Sequence, residues 1–183
     1  MRHELRARVR CQVDFDAPLA RMSTYRIGGP AAAVVSPTSA ADVRAVVLFA
    51  AEAGVPWFAL GLGSNLLFAD EGYDGVVIRL GKELASVEMG SPEDTVWSVG
   101  AGLPTPLLAK RTAAAGMSGL HRLVGVPGSV GGGVFMNAGA HGQEFQDVVE
   151  SVSIVDASGE GRVVKKKSFA IVLTPLKSRI TLG

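Results

Sequence analysis

Cysteine is almost missing from this chain, Cys11 being the single one. No intrachain disulfide can form, and neither a thiolate zinc site nor an iron–sulfur cluster can be assembled, which suits a reducing cytoplasm. An excess of charge is missing as well. Lysine and arginine number 18 against 17 carboxylates, for a net charge of +1, so neither a nucleic-acid surface nor a polybasic membrane anchor is expected. No uninterrupted apolar run approaches the ~18 residues of a membrane span, so no membrane insertion is expected. The basic opening "MRHELRARVR" has no apolar stretch and small-residue cleavage site behind it, so no secretory signal is expected. Its ten residues are expected to be solvated, within a lead-in covering residues 1–17.

What remains is a packed chain: 183 residues, 48% of them hydrophobic and 19% charged. The stretch "SPTSAADVRAVVLFAAEAGVP" from Ser36 predicts a helix with both ends marked. Thr38 or Ser39 caps it, Asp42 suits the first turn, and Gly54 and Pro56 stop it. Val43, Val46, Val47, Ala50 and Ala53 share one face. Apolar "AAAVV" before it and "WFAL" after it read as buried strands, making a β-α-β unit. Short strand-like pieces follow in "GVVIRL", "ASVEM" and "TVWSVGAG", and their spacing points to an α+β domain rather than a doubly wound sheet. A second helix is expected from Pro106 to Ala115, capped by Thr105 and ended by Gly116. "VVESVSIVDASGEGRVVKK" alternates around a Ser-Gly turn and reads as a hairpin.

Two glycine stretches carry the chemistry. In "GLGSNLLF", Gly61 and Gly63 allow a sharp turn in which amide N–H groups converge on an anion, and Ser64 and Asn65 add donors. The dinucleotide fingerprint G-x-G-x-x-G fails here, because Leu66 stands where the third glycine belongs and no long helix follows. The second stretch, "GVPGSVGGGVFMNAGAHG" from Gly125 to Gly142, has seven glycines and no lysine, arginine or carboxylate. Val126, Val130, Val134, Phe135 and Met136 make it too apolar for a linker, so burial is expected. A buried glycine loop must find partners for its backbone groups, and a nucleotide-like cofactor lying across the domain is one supplier.

Together with "PLARMSTYRIGGPA" (residues 18–31) and "VGAGLP", these stretches stand in the order and spacing of the UDP-N-acetylenolpyruvoylglucosamine reductase family, which the chain resembles over residues 18–169. The resemblance implies a flavin-binding fold of the vanillyl-alcohol-oxidase (PCMH) type, with two α+β lobes holding FAD; the lobes would cover residues 18–83 and 84–183. It further implies NADPH as hydride donor and UDP-N-acetylglucosamine enolpyruvate as substrate, with UDP-N-acetylmuramate formed for peptidoglycan synthesis in the cytoplasm. By this similarity Gly61, Gly63, Ser64 and Asn65 hold the FAD diphosphate. Gly125, Pro127, Gly128, Ser129, Gly132, Asn137, Ala138 and Gly139 line the rest of the cofactor, and Tyr25, Arg26, Ile27 and Gly28 pack near it.

The family pattern breaks after Phe169-Ala170, where Ile171 and Val172 replace a tyrosine and a catalytic arginine. Apolar side chains cannot donate to a developing enolate. The family's substrate-binding domain, with its proton-donating serine and its glutamate, has no counterpart before Gly183. No catalytic residue and no metal ligand are therefore assigned. The expectation is the FAD-binding portion of the reductase, truncated and impaired in turnover, with self-association through surface that the missing domain leaves bare. The alternatives are a non-catalytic flavin-binding module and another flavin-dependent oxidase of the same fold.

Overall fold

The computed structural model describes residues 1–89, 95–166 and 174–181, the last of these as backbone only. Ile171 and Val172 lie outside the described residues.

The expected lead-in is not merely solvated. Residues Arg2–Arg8 form helix α1, whose Leu5 is fully buried, and Val9 beyond its end is buried too. The arginines stay outside: Arg2 pairs with Asp16 at 2.6 Å and Arg8 with Glu52 at 2.6 Å. Strand β1 (Gln12–Pro18) then pairs antiparallel with β2 (Pro30–Ser36). Helix α2 spans Ala40–Ala53. Ser39 caps it by accepting from the Asp42 N–H, and Gly54 ends it in the left-handed region at φ 62°. Its buried face holds Val43, Val46, Val47, Phe49 and Ala50, while Ala53 is exposed, a correction of one position in the last turn.

Strand β3 (Trp57–Leu60) does not lie beside β2. Strand β4 (Tyr73–Arg79) is inserted between them, parallel to both, giving the order β1-β2-β4-β3. Both faces of this sheet are covered, which explains its continuous apolar runs. Val35, Val76 and Ile78 face α1 and α2, whereas Val34, Leu60 and Val77 cluster on the other side with Phe58 and Tyr73 of the sheet itself and with Met22 and Phe68 from the connecting segments.

Strands β5 (Val87–Glu88) and β6 (Val96–Gly100) open the second sheet. Helix α3 runs Thr105–Ala114. Its cap is Pro104 rather than Thr105, whose hydroxyl is buried without a hydrogen-bond partner among the described residues. Short helix α4 (Val130–Phe135) follows, then the small hairpin β7 (Gly139–Ala140) and β8 (Gln143–Glu144), and helix α5 (Phe145–Val148). The expected hairpin is present as β9 (Val149–Val155) and β10 (Gly161–Lys165), with the Asp156 carboxylate holding the turn by accepting from the N–H groups of Ser158 and Glu160. Strand β11 (Thr174–Thr181) inserts antiparallel between β9 and β6, so the described order is β10-β9-β11-β6-β5. Ala101 and Val155 reach from this half into the core under α2 and join the two sheets.

Candidate functional site

The two glycine stretches, distant in sequence, meet in space. A Cβ built on Gly61 would fall on the Ser129 hydroxyl, and one on Gly128 would stand 3.1 Å from the Ser64 hydroxyl. Close approach of two segments of the chain at these points explains why glycine occupies both. Gly63 has φ 68°, and a side chain there would strike the Met22 carbonyl. The Gly63 carbonyl in turn accepts from the Thr24 N–H at 3.1 Å, which brings the segment Ser23–Gly28 against the same loop. Gly28, at φ 128°, packs on Phe68.

The stretches spend their backbone donors differently. Among the described residues, the N–H groups of Gly61 through Leu67 make no hydrogen bond within the chain. Ser64 is half-buried and Asn65 exposed, and neither side chain is engaged. In the second stretch most donors are committed. Val130 N–H donates to the Leu103 carbonyl and Gly131 N–H to that of Ala101, each at 2.8 Å. Gly132 N–H donates to the buried Ser129 hydroxyl oxygen and Gly133 N–H to the Ser129 carbonyl. Gly128 and Ser129 keep their own N–H groups free of bonds among the described residues, while their neighbourhood is fastened by Thr105 N–H donating to the Gly128 carbonyl. The uncommitted donors thus cluster where Ser64 meets Gly128.

Expected burial of the second stretch holds at Val126 and Val130. Val134 is half-buried, and Phe135 and Met136 are each 55% exposed. Gly131 and Gly133 serve packing: a Cβ at the first would stand 2.8 Å from the Ala101 Cβ, and one at the second would enter the Phe145 ring. Gly132 is different, with its exposed side open except for the Ser129 hydroxyl at 3.4 Å. Gly125 and Pro127 are exposed, and the imidazole Nε2 of His141 lies 3.3 Å from where a Gly125 Cβ would sit. Asn137, at φ 46°, has both ends of its amide engaged: Nδ2 donates to Glu144 at 2.7 Å, and Oδ1 accepts from the Gln146 N–H at 2.9 Å. Ala138 N–H donates to the Gly133 carbonyl, and Gly139 packs on the Gln143 backbone across the small hairpin. Asn137, Ala138 and Gly139 therefore shape the segment behind the cradle.

Sequence reading passed over two features. Arg21 joins Ala20, Ser23 and Arg26 around a surface depression beside the Gly63 contact; the signal was a second arginine five residues before Arg26. Thr105, whose N–H donates to the Gly128 carbonyl, has a buried hydroxyl without a partner among the described residues, and no sequence signal marks a side chain as unpartnered. Burial, with the nearby Asp42 charge, pushes the Cys11 thiol pKa up and so disfavours its thiolate. No group of three or more His, Cys, Asp or Glu with the geometry of a metal site occurs among the described residues. No helix among them is long and apolar enough to cross a membrane.

A family model described as an FAD binding domain matches residues 31–165, which contain both glycine loops. The chain belongs to this FAD-binding family. It is similar to the UDP-N-acetylenolpyruvoylglucosamine reductase of Rubrobacter xylanophilus, 44% identical over 151 residues, which are 82% of this chain and 49% of that protein. Among solved structures it is similar to the corresponding reductase of Thermus caldophilus, at a TM-score of 0.73 and 30% identity, over 95% of this chain and 62% of that one. A protein of Physcomitrella patens called BBE-like 1 shares the fold at a TM-score of 0.75 and 19% identity, over 100% of this chain and 44% of the other. The expected α+β fold of the vanillyl-alcohol-oxidase type and the resemblance to the reductases are both borne out. The chain spans about half the length of the curated relatives it matches.

The residues present fit an FAD diphosphate on physical grounds. A row of free amide donors and two glycines with positive φ, Gly63 and Gly128, come together where the two loops touch.

Proposed function

We propose that this chain is the FAD-holding portion of an NADPH-dependent reductase that converts UDP-N-acetylglucosamine enolpyruvate to UDP-N-acetylmuramate, a cytoplasmic step of peptidoglycan synthesis. The observation that supports it most is the contact of Gly61 with Ser129 and of Ser64 with Gly128, which gathers the uncommitted amides at one place. The similarity to the reductases supplies the substrate class and the reductant. In this reading residues 18–83 form the bulk of one lobe, whose sheet also takes in β1 from Gln12 and packs on α1, and residues 84–183 form the other.

Within the chain, Gly61, Gly63, Ser64 and Asn65 offer main-chain and side-chain donors to the diphosphate, joined by the N–H groups of Gly128 and Ser129. Pro127 holds the turn, Gly125 and Gly132 leave backbone bare for close approach, and Asn137, Ala138 and Gly139 hold that wall in position. Neutral donors in fixed positions stabilise added negative charge without committing to an ion pair. When bound, FAD supplies the hydride-transfer chemistry of the reductase reaction, and the protein supplies its orientation. Exposed Tyr25, Ile27, Leu62, Leu67, Phe135 and Met136 give the site an apolar margin, which in the free chain is a surface for self-association.

Titrating FAD into the purified chain while following flavin fluorescence tests the holding role, with saturable quenching expected. No quenching at micromolar protein contradicts it. Oxidation of NADPH that depends on the enolpyruvyl nucleotide then separates a working reductase from a flavin-holding module.

A further inference from the structure

The glycine cradle offers phosphate only neutral donors, and a cation beside it adds charge-assisted hydrogen bonds that those donors do not supply. Arg21 and Arg26 flank the segment that Thr24 ties to the first glycine loop. Both line a surface depression of about 380 Å³ with Ala20 and Ser23, and neither forms an ion pair there. The depression adjoins the first glycine loop: Gly63 packs on the Met22 carbonyl and Ser23 Cα, and Thr24 N–H donates to the Gly63 carbonyl.

Arg26 also holds an unusual backbone conformation, at φ 56°. A branched or long residue in the left-handed region is disfavoured, so something else must hold it there. Its N–H donates to both the carbonyl and the hydroxyl oxygen of Ser23, at 3.3 and 3.2 Å. Ser23 itself is 92% buried as the complement of its 8% exposure, and its hydroxyl proton remains uncommitted among the described residues. Two unpaired guanidinium groups and one fixed hydroxyl around a depression make a fork suited to phosphate oxygens.

We propose that Arg21, Arg26 and Ser23 form an anion pocket that takes a phosphate group of a bound dinucleotide and supplies the positive charge the glycine cradle lacks. The pocket's ligand rests on the FAD reading; its affinity for phosphate does not. The shared chemistry is a phosphate ester or diphosphate, and its two sources are the flavin dinucleotide and the nicotinamide reductant.

The test compares the wild-type chain with Arg21→Gln, with Arg26→Asn, which tolerates the left-handed backbone, and with both together. Inorganic pyrophosphate is titrated by calorimetry at low and high salt, FAD and riboflavin by flavin fluorescence, and NADPH against flavin-loaded protein. In the double variant pyrophosphate binding weakens about tenfold or more and loses most of its salt dependence. A matching loss for FAD with riboflavin unchanged assigns the pocket to the flavin's diphosphate. A loss for NADPH with FAD unchanged assigns it to the reductant. Unchanged pyrophosphate affinity overturns the proposal, as does an equal loss of FAD and riboflavin, which marks a structural defect. A wild-type chain that binds pyrophosphate but no flavin contradicts the function proposed above and leaves the pocket standing.

Discussion

The first glycine loop and the second use the same residue for opposite purposes. Around Gly61 and Gly63 glycine lets the chain turn while its N–H groups stay free of internal bonds. From Val130 to Ala138 most N–H groups are taken by Ala101, Leu103, Ser129, Gly132, Gly133 and Val134, and Gly131 and Gly133 exist so that α4 can lie against Ala101 and Phe145. Glycine content alone therefore does not mark a ligand loop. What marks it is whether the backbone donors have already been consumed.

That contrast predicts a graded series. Gly63→Ala has the largest effect, because its Cβ meets the Met22 carbonyl and its φ of 68° disfavours a side chain. Loss of about 3 kcal/mol or more is expected in denaturant unfolding, together with loss of flavin binding. Gly133→Ala costs about 1–3 kcal/mol by crowding the Phe145 ring, but the folded fraction keeps its FAD affinity, and Phe145→Leu restores part of the stability. Equal loss of affinity and stability at Gly133 would erase the distinction between the loops. Ser129→Ala removes the cap of α4 and costs about 1 kcal/mol. Gly132→Ala separates binding from folding most cleanly: stability rises by up to about 1 kcal/mol from helix propensity, while FAD affinity falls because a methyl group covers bare backbone.

The smallest effect lies away from the site, in the cap of α2. Burial raises the Asp42 pKa, but hydrogen bonds from the backbone and hydroxyl of Thr38 and from Ser39 outweigh it, and the carboxyl ends below its ordinary value. A depressed carboxylate stabilises the fold above its unfolded pKa and loses that contribution as the pH falls through its folded pKa. Asp42→Ala is therefore expected to cost about 1 kcal/mol at neutral pH and progressively less through the acid range, read by unfolding at several pH values.

Much of the fold was legible because its signals are local. The cap at Ser39, the stop at Gly54 and the hairpin around Ser158 were all read from nearest neighbours, and each is present. Among the helices that escaped, α1 and α4 did so for different reasons. In α1 only Leu5, followed by Val9, points inward among four basic residues, Arg2, His3, Arg6 and Arg8, so the pattern reads as solvated. In α4 three consecutive glycines argue against a helix, and the cap of Ser129 together with packing on Ala101 and Phe145 overrides that propensity. Thr105 misled because proline stands on both sides of it, and the chain enters α3 through Pro104.

Strand order was illegible, since placing β4 between β2 and β3 depends on pairing between distant residues. The candidate site was legible as two loops through their glycines and their resemblance to a known family. Its inner division was not, because the consumption of amides depends on where residues 101–105 pass. Exposure of Phe135 and Met136, against the expected burial, follows from the same division: with α4 fastened through its other face, these side chains face outward.

Amide hydrogen exchange, resolved by residue with and without FAD, tests the division directly. The N–H groups of Gly61 through Leu67, Gly128 and Ser129 should exchange fast in the free chain and become protected by FAD, while those of Val130 to Gly133 are protected in both. Protection of the first loop without FAD, or its indifference to saturating FAD, would contradict the account.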